Sequence, residues 1–374
     1  MITYLFSNHY TNNYFPLLFI NMKKQSLFLL GLIGLAFGAC NETQEVTSKL
    51  EQSINMDDFY VYTNEHNSHT QKTAAAKEDR VCHSMKVLND KLKENPGLEK
   101  KMYDIELHTR QTIEQTAKGK PGSGTGGGTT PVDDGLGTIT IPVYVHVIYS
   151  NTQENISDAQ ISSQMAVLNA DFRKTNSDVS KVPAEFAGVV ADVNIQYTLA
   201  GVTRKSSTRT SWGTNDDMKK TSVGGVDPIT PTTHLNIWVC NIGGGILGYA
   251  QFPGGSLATD GVVVGPNYFG TTGYVSAPFN GGRTLTHEVG HYLNLRHIWG
   301  DGGCRQDDFV TDTPSSDRAN YGCPAYPTVH CQSNDMTMNY MDYTDDACMY
   351  MFSQGQKSRA RAIFAAGGSR ASMR

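Results

Sequence analysis

The sequence predicts an α/β fold of the α+β kind: a twisted mixed sheet with one backing helix and one helix that carries the site, above a loop-rich lower part stapled by disulfides. Three observations predict it. Short β-branched runs from Ile139 onward flank helical periods. The most distinctive helical stretch, Thr284 to Gly300, comes after those strands. Beyond it four of the seven cysteines cluster in a stretch with little periodicity.

Taken in order, residues 1–21 precede a better start at Met22 and read as a misassigned upstream start. Met22-Lys23-Lys24 followed by SLFLLGLIGLAFGAC has the positive start, short apolar run and small-residue end of a signal peptide over 22–39. It resembles a bacterial lipoprotein signal with Cys40 as the lipidated residue and only membrane attachment; Phe37, where an aliphatic residue is usual, keeps simple secretion open. The expected location is therefore the bacterial cell envelope or the medium. Residues 40–117 are polar, with helices predicted at Val81–Leu92 and Gly97–Thr116. A Gly-rich linker is predicted over 118–136, around GKPGSGTGGGTTPVDDG at 119–135, whose composition cannot bury itself.

Residues 137–374 hold the remaining elements. TITIPVYVHVIYS alternates and is β-branched, so it reads as a strand. Ser157 is placed to cap DAQISSQMAVLNADFRKT, a helix with Ile161, Met165, Leu168 and Phe172 turned inward. NIQYTLAG, HLNIWVCNI and DGVVVGPNYFG supply further strands, GGGILGYAQFP a glycine-loosened edge, and Ser207 to Asp227 a loop. At 39% hydrophobic, 374 residues bury one large core or two modest ones. A net charge of −5 with 18% charged residues gives no basic field for nucleic acid or anionic membrane. No run of 18 apolar residues predicts a spanning helix. Composition leaves the oligomeric state open.

The chemistry is concentrated in THEVGHYLNLRH. His287 and His291 are four apart and share a helical face, so two neutral imidazoles can reach one Zn²⁺. Glu288 follows the first, near enough to serve a water activated by the metal without being a ligand. His297 lies six residues beyond His291, roughly 9 Å along a straight helix at 1.5 Å per residue. The backbone must therefore turn back near Asn294, a residue type that tolerates left-handed φ. Three ligands and one open position make a catalytic zinc site, whereas a structural site is closed.

HEVGHYLNLRH resembles the extended zinc motif of the metzincin peptidases, with Asn294 where Gly is usual. With LNIWVC, GGGILGYAQFP, DTP and NYMDY it resembles the pappalysin family over Ile139 to Phe364. The resemblance implies a zinc endopeptidase acting on proteins or peptides, Glu288 its general base. It implies that Met341 forms the floor beneath the metal and that Tyr343 donates to the oxyanion. In an exported chain the four clustered cysteines allow three pairings; the resemblance implies Cys304–Cys331 and Cys323–Cys348. Arg80-Val81-Cys82 resembles a propeptide segment whose cysteine fills the open zinc position, making the precursor latent; His83 stands where Gly commonly follows. A free thiol at a helix start is the other reading. CRQDDFVTDTP suits Ca²⁺, with Asp308, Thr313 and the Thr311 carbonyl as ligands by resemblance, or is a solvated acidic turn. Asp345 and Asp346 are candidates for lining the pocket after the cleaved bond, since some pappalysins prefer a basic residue there; the other reading is two solvated acids on a loop. The alternative function is a surface lipoprotein using this scaffold to bind protein.

Overall fold

The computed structural model describes residues 54–63, 80, 82–118 and 133–374. The predicted signal, Cys40 and residues 119–132 of the linker lie outside them. Five strands form the main sheet: β1 (Ile139–Tyr149), β2 (Ile195–Ser206), β3 (Leu235–Val239), β4 (Gly248–Ala250) and β5 (Val262–Val264), in the order β2-β1-β3-β5-β4. All pairs are parallel except β4–β5, which is antiparallel and leaves β4 at the edge. β2 runs beyond the predicted NIQYTLAG to Ser206 because its whole length pairs with β1. A bulge between Val143 and Tyr144 absorbs one residue of that register.

Alternation along β1 decides which face each side chain joins. Ile139, Ile141, Val143, Val145 and Val147 point into the large core with Ile161, Leu168 and Phe172 of the backing helix. On the opposite face Trp238 and Val263 join Trp212 and Met218 from the 207–226 loop. Of the side chains on the large-core face, Ile141, Val143, Val145, Val147, Ile161, Leu168 and Phe172 are fully buried, and each contributes about 1.5–3 kcal/mol by leaving water. Two helices lie outside the sheet ladder in the N-terminal segment: α1 (Ser84–Glu94) and α2 (Leu98–Lys118). The backing helix α3 (Asp158–Phe172) begins where Ser157 Oγ accepts the Gln160 amide at 3.1 Å, the predicted cap. The site helix α4 (Arg283–Tyr292) packs against α3, β4 and β5 and is buried along its whole length.

Below α4 the chain is nearly all loop until α5 (Gln354–Ala362). Disulfides join Cys304 to Cys331 and Cys323 to Cys348, the pairing the resemblance implies. Buried polar pairs hold the rest: Asn339 and Gln356 exchange bonds of 2.9 and 3.0 Å, and Asp342 accepts from Asn320. α1 starts three residues later than predicted, since Cys82 is extended and pairs with Gly248. The last linker residues are docked: the Arg361 fork grips Asp134 at 2.6 and 2.8 Å.

Candidate active site

α4 ends at Tyr292 in a Schellman turn. Leu295 N–H reaches the Gly290 carbonyl at 2.9 Å and Asn294 N–H the His291 carbonyl at 3.0 Å. Asn294 itself has φ +71°, the left-handed turn its position demanded. The turn swings His297 back, and its Nε2 lies 3.1 Å from that of His291, which lies 3.2 Å from that of His287. The apexes of a tetrahedral Zn²⁺ with Zn–N bonds near 2.05 Å are about 3.3 Å apart. The three rings therefore fit one ion.

Their outer nitrogens fix the tautomers. His287 Nδ1–H donates to the Tyr340 carbonyl at 2.7 Å and His291 Nδ1–H to the Leu295 carbonyl at 2.8 Å. His297 Nδ1 faces Asp301 Oδ1. Each Nε2 is left as a lone pair aimed inward. Burial first, then the neighbouring imidazoles, hold His287 and His291 well below the ordinary histidine range, so both are neutral, as ligands must be. The inner nitrogen of His291, 3.1–3.2 Å from those of the other two rings, makes with them a donor set for a cation.

Cys82 completes the set. Among the described residues, Cys82, His287, His291 and His297 offer ligand atoms within 4.8 Å of one another, all four buried. Burial, then the Glu288 carboxylate, push the Cys82 thiol up, a bias that a cation among these donors reverses. Glu288 Oε2 accepts from Ser84 Oγ at 2.7 Å and lies 3.4 Å from Cys82 Sγ. Burial pushes the Glu288 carboxyl up to about 7, against the lowering effect of Ser84, Cys82 and Arg80.

Tyr343 Oη donates to the Cys82 carbonyl at 3.3 Å. His297 and Trp299 stack with centroids 4.4 Å apart, and the Tyr343 ring meets both edge-on, its centroid 4.8 Å from each. Met341 lies under the zinc-motif helix. A Cβ at Gly290 would meet Met341 Sδ at 2.3 Å, so the glycine inside HEVGH makes room for the thioether. A Cβ at Gly248 would likewise come within 3.0 Å of Glu288 Cγ. The edge strand thus runs directly above the carboxylate.

Asp346 is buried, not one of two solvated acids. It caps the start of α4, accepting the Gly281 amide at 2.8 Å and the Arg283 amide at 3.1 Å. Its other oxygen pairs with Arg80, whose side chain also donates to the Thr344 carbonyl at 3.1 Å and Thr284 Oγ1 at 3.3 Å. Asp345 is half-buried, with its amide on the Gly322 carbonyl at 2.8 Å. Asp308 Oδ1 accepts from Thr313 Oγ1 at 2.8 Å and the Val310 amide at 3.0 Å. Its buried Oδ2 has no partner among the described residues, and burial with the adjacent Asp307 pushes the carboxyl well up. Thr311 is exposed on the same turn.

Ser84, Gly290 and Asp301 are the site residues that sequence reasoning missed; Gly248 lies in the glycine-loosened edge read from GGGILGYAQFP, without its closeness to Glu288. Asp301 had a local signal, four residues past His297 and able to face its outer nitrogen. The contacts of the two glycines had none, because their neighbours arrive from distant parts of the chain.

Comparison with known proteins matches this geometry. A family model described as Pregnancy-associated plasma protein-A matches residues 228–365, which include the whole zinc motif and NYMDY. An extracellular metalloprotease of Arthroderma benhamiae is 32% identical over 238 residues, 60% of this chain and 72% of that protein. The chain belongs to the pappalysin family. It is a zinc metalloprotease, a hydrolase. A Pyricularia oryzae extracellular metalloprotease is 33% identical over 61% of this pappalysin and 75% of its own length. Mirolysin in complex with a small compound is 46% identical, with TM-score 0.62, over 63% of this chain and 96% of that one. A variant of Tannerella forsythia promirolysin is 38% identical, with TM-score 0.68, over 79% of this chain and 97% of that one. The larger share matched by the pro-form means that the likeness extends beyond the part shared with the mature enzyme.

Proposed function

We propose that this pappalysin is an exported zinc endopeptidase made latent by its own N-terminal segment. His287, His291 and His297 are the zinc ligands, and Cys82 is the fourth ligand of the latent form. The observation that carries the reading is Cys82 itself, whose sulfur shares the donor cluster with the three histidines. Residues 40–117 then act as a pro-region and 137–374 as the peptidase. When bound, zinc supplies Lewis acidity for the scissile carbonyl and lowers the pKa of water at the open position. Glu288 takes the proton from that water and delivers it to the leaving amine. Tyr343 donates to the developing oxyanion, and its bond to the Cys82 carbonyl supports that role by presenting the hydroxyl to a carbonyl beside the donor cluster.

The pro-region meets the sheet edge through a single parallel bridge, Cys82 with Gly248. His83 N–H donates to the Gly248 carbonyl at 3.1 Å, the same edge backbone an extended substrate would pair with. Mature mirolysin has been solved with a cleaved peptide, which supports a peptide in this cleft. Arg80 in the Asp346 pocket supports a preference for a basic residue next to the cleaved bond. Asp308, Thr313 and the Thr311 carbonyl are the proposed Ca²⁺ ligands; the partnerless buried oxygen of Asp308 supports a hard cation there. The leader over 22–39 and the extracellular naming of the relatives support export. No observation favours a non-catalytic surface lipoprotein.

Glu288→Ala tests the chemistry. The variant should bind zinc at one equivalent and lose about 10²–10⁴-fold in peptide turnover once freed of the pro-region; turnover near the unmodified level would overturn the assignment.

A further inference from the structure

The pro-region touches the peptidase in a second place, behind the zinc motif, with chemistry unlike that of the cleft. Glu106 of α2 is 2% exposed and faces the guanidinium of Arg359 from α5 at 2.5 and 3.0 Å. The remaining nitrogen of that fork, Nε, donates to the carbonyl of Asn294 at 2.8 Å. Asn294 is the residue whose left-handed turn returns His297 to the site. One arginine thus connects the pro-region's carboxylate to the bend of the zinc motif. Burial alone would raise the Glu106 carboxyl; Arg359 and Arg110 together bring it down to about 2.

Arg296, from the same motif, depends on the same segment. Its Nη2 donates to the Tyr60 carbonyl at 2.6 Å, while Nη1 is buried without a partner. Both guanidiniums stack on Phe309, at 4.8 Å for Arg296 and 5.3 Å for Arg359. Among the described residues Glu106 is the carboxylate that Arg359 pairs with. Without the pro-region two guanidiniums share one ring with that carboxylate gone.

We infer that Arg359, on the back of the zinc motif, is a carboxylate-binding docking site whose ligand is Glu106 of the pro-region, with Arg296 beside it holding the Tyr60 carbonyl of the same segment, so that the excised segment stays bound and inhibitory. This rests on the latency reading above. None of the contacts just named lies in residues 119–132, so a single cut there severs the chain and leaves them all in place. Such a cut removes only the local concentration that the tether supplies. Activation then needs a second event, either further cleavage within the pro-region or its dissociation.

The test is a full-length precursor carrying a recognition sequence for a specific foreign protease between residues 119 and 132. After the cut, the fragment should co-elute with the peptidase on size exclusion, and peptide turnover should remain absent. Glu106→Gln keeps the side-chain shape and leaves every residue of the peptidase unchanged. It should release the fragment on the order of 100-fold faster, the effect of breaking one buried charged pair, with activity appearing at the same rate. Glu99→Gln, at an exposed position of the same helix, should release at the unmodified rate, which separates the contact from a general effect of removing a helix charge. Immediate separation and full activity on cutting would overturn the inference, and so would a Glu106→Gln fragment that leaves no faster. A peptidase that stays silent after the fragment is removed on an ion-exchange column would instead overturn the protease reading beneath it.

Discussion

The two halves that meet at the zinc motif hold their shape by different means. The sheet half, from Ile139 to Val264, is regular, and its inner face is a continuous apolar layer with Ile141, Val143, Val145, Ile237 and Val239 fully buried. The lower half, from Leu293 to Phe352, has few ladder bonds and relies on two disulfides and buried polar pairs. His287 and His291 stand on the helix packed to the sheet, whereas His297 and Tyr343 come from the lower half. The metal site is thus a joint between a packed element and a stapled one. Damage to each half should have its own signature.

The largest effect is expected at the chemistry supplied by the stapled half. Tyr343→Phe should lower kcat by roughly 10²–10³-fold, as removing an oxyanion donor does, with zinc content and melting temperature unchanged; steady-state kinetics beside metal analysis will show it. Next comes packing in the sheet half. Ile237→Ala empties a site with 0% exposure and should cost about 2–5 kcal/mol in unfolding free energy. Its loss in denaturant melts should be the same with or without reductant.

The stapled half responds to reductant. Cys323→Ser with Cys348→Ser should cost about 2–4 kcal/mol and weaken zinc retention through His297, while Ile237→Ala leaves retention intact. Equal zinc loss from both variants would remove the distinction between the halves. A smaller shift is expected at the acidic turn. Selective Ca²⁺ removal with zinc left in place should lower the melting temperature by a few degrees, about 1–2 kcal/mol by mass action, and Asp308→Asn should abolish the response.

The smallest expected response is to mild acid. Glu106 has its folded-state carboxyl depressed to about 2 from an ordinary 4.5. A depressed carboxylate contributes fully above its unfolded value and is lost as pH falls through the folded one. Its share of pro-region docking should therefore be constant from pH 7 to 5 and fade only as pH drops from about 4.5 towards 2. Fragment release from the cut precursor, followed between pH 7 and 5, should stay flat; a rise across that range would mean that a different group controls docking.

Much of this was legible because the chemistry is local in the chain. Spacings of four and six residues with an asparagine in the second gap determine where three imidazoles can meet, and strand alternation determines the buried face of β1. The cysteine pairing was not legible from the residues, since three pairings satisfy the same four positions; only the resemblance chose one. Long-range partners were hidden altogether. Asp346 and Asp345 look like two solvated acids until Arg80, 266 residues away from Asp346, enters the pocket. Gly290 reads as an ordinary variable position until Met341 occupies its missing side chain. Ser84 and Glu106 gave no signal, because a serine at a helix start and a glutamate in a charged helix are usual where nothing is bound.

X-ray absorption at the zinc edge of the intact, zinc-loaded precursor examines the donor cluster most directly. Three histidines and Cys82 on one ion require about three nitrogen neighbours near 2.0–2.1 Å and one sulfur near 2.3 Å, with the sulfur replaced by oxygen in the freed peptidase. A precursor spectrum with nitrogen and oxygen alone would contradict both the latency through Cys82 and the convergence of these four side chains.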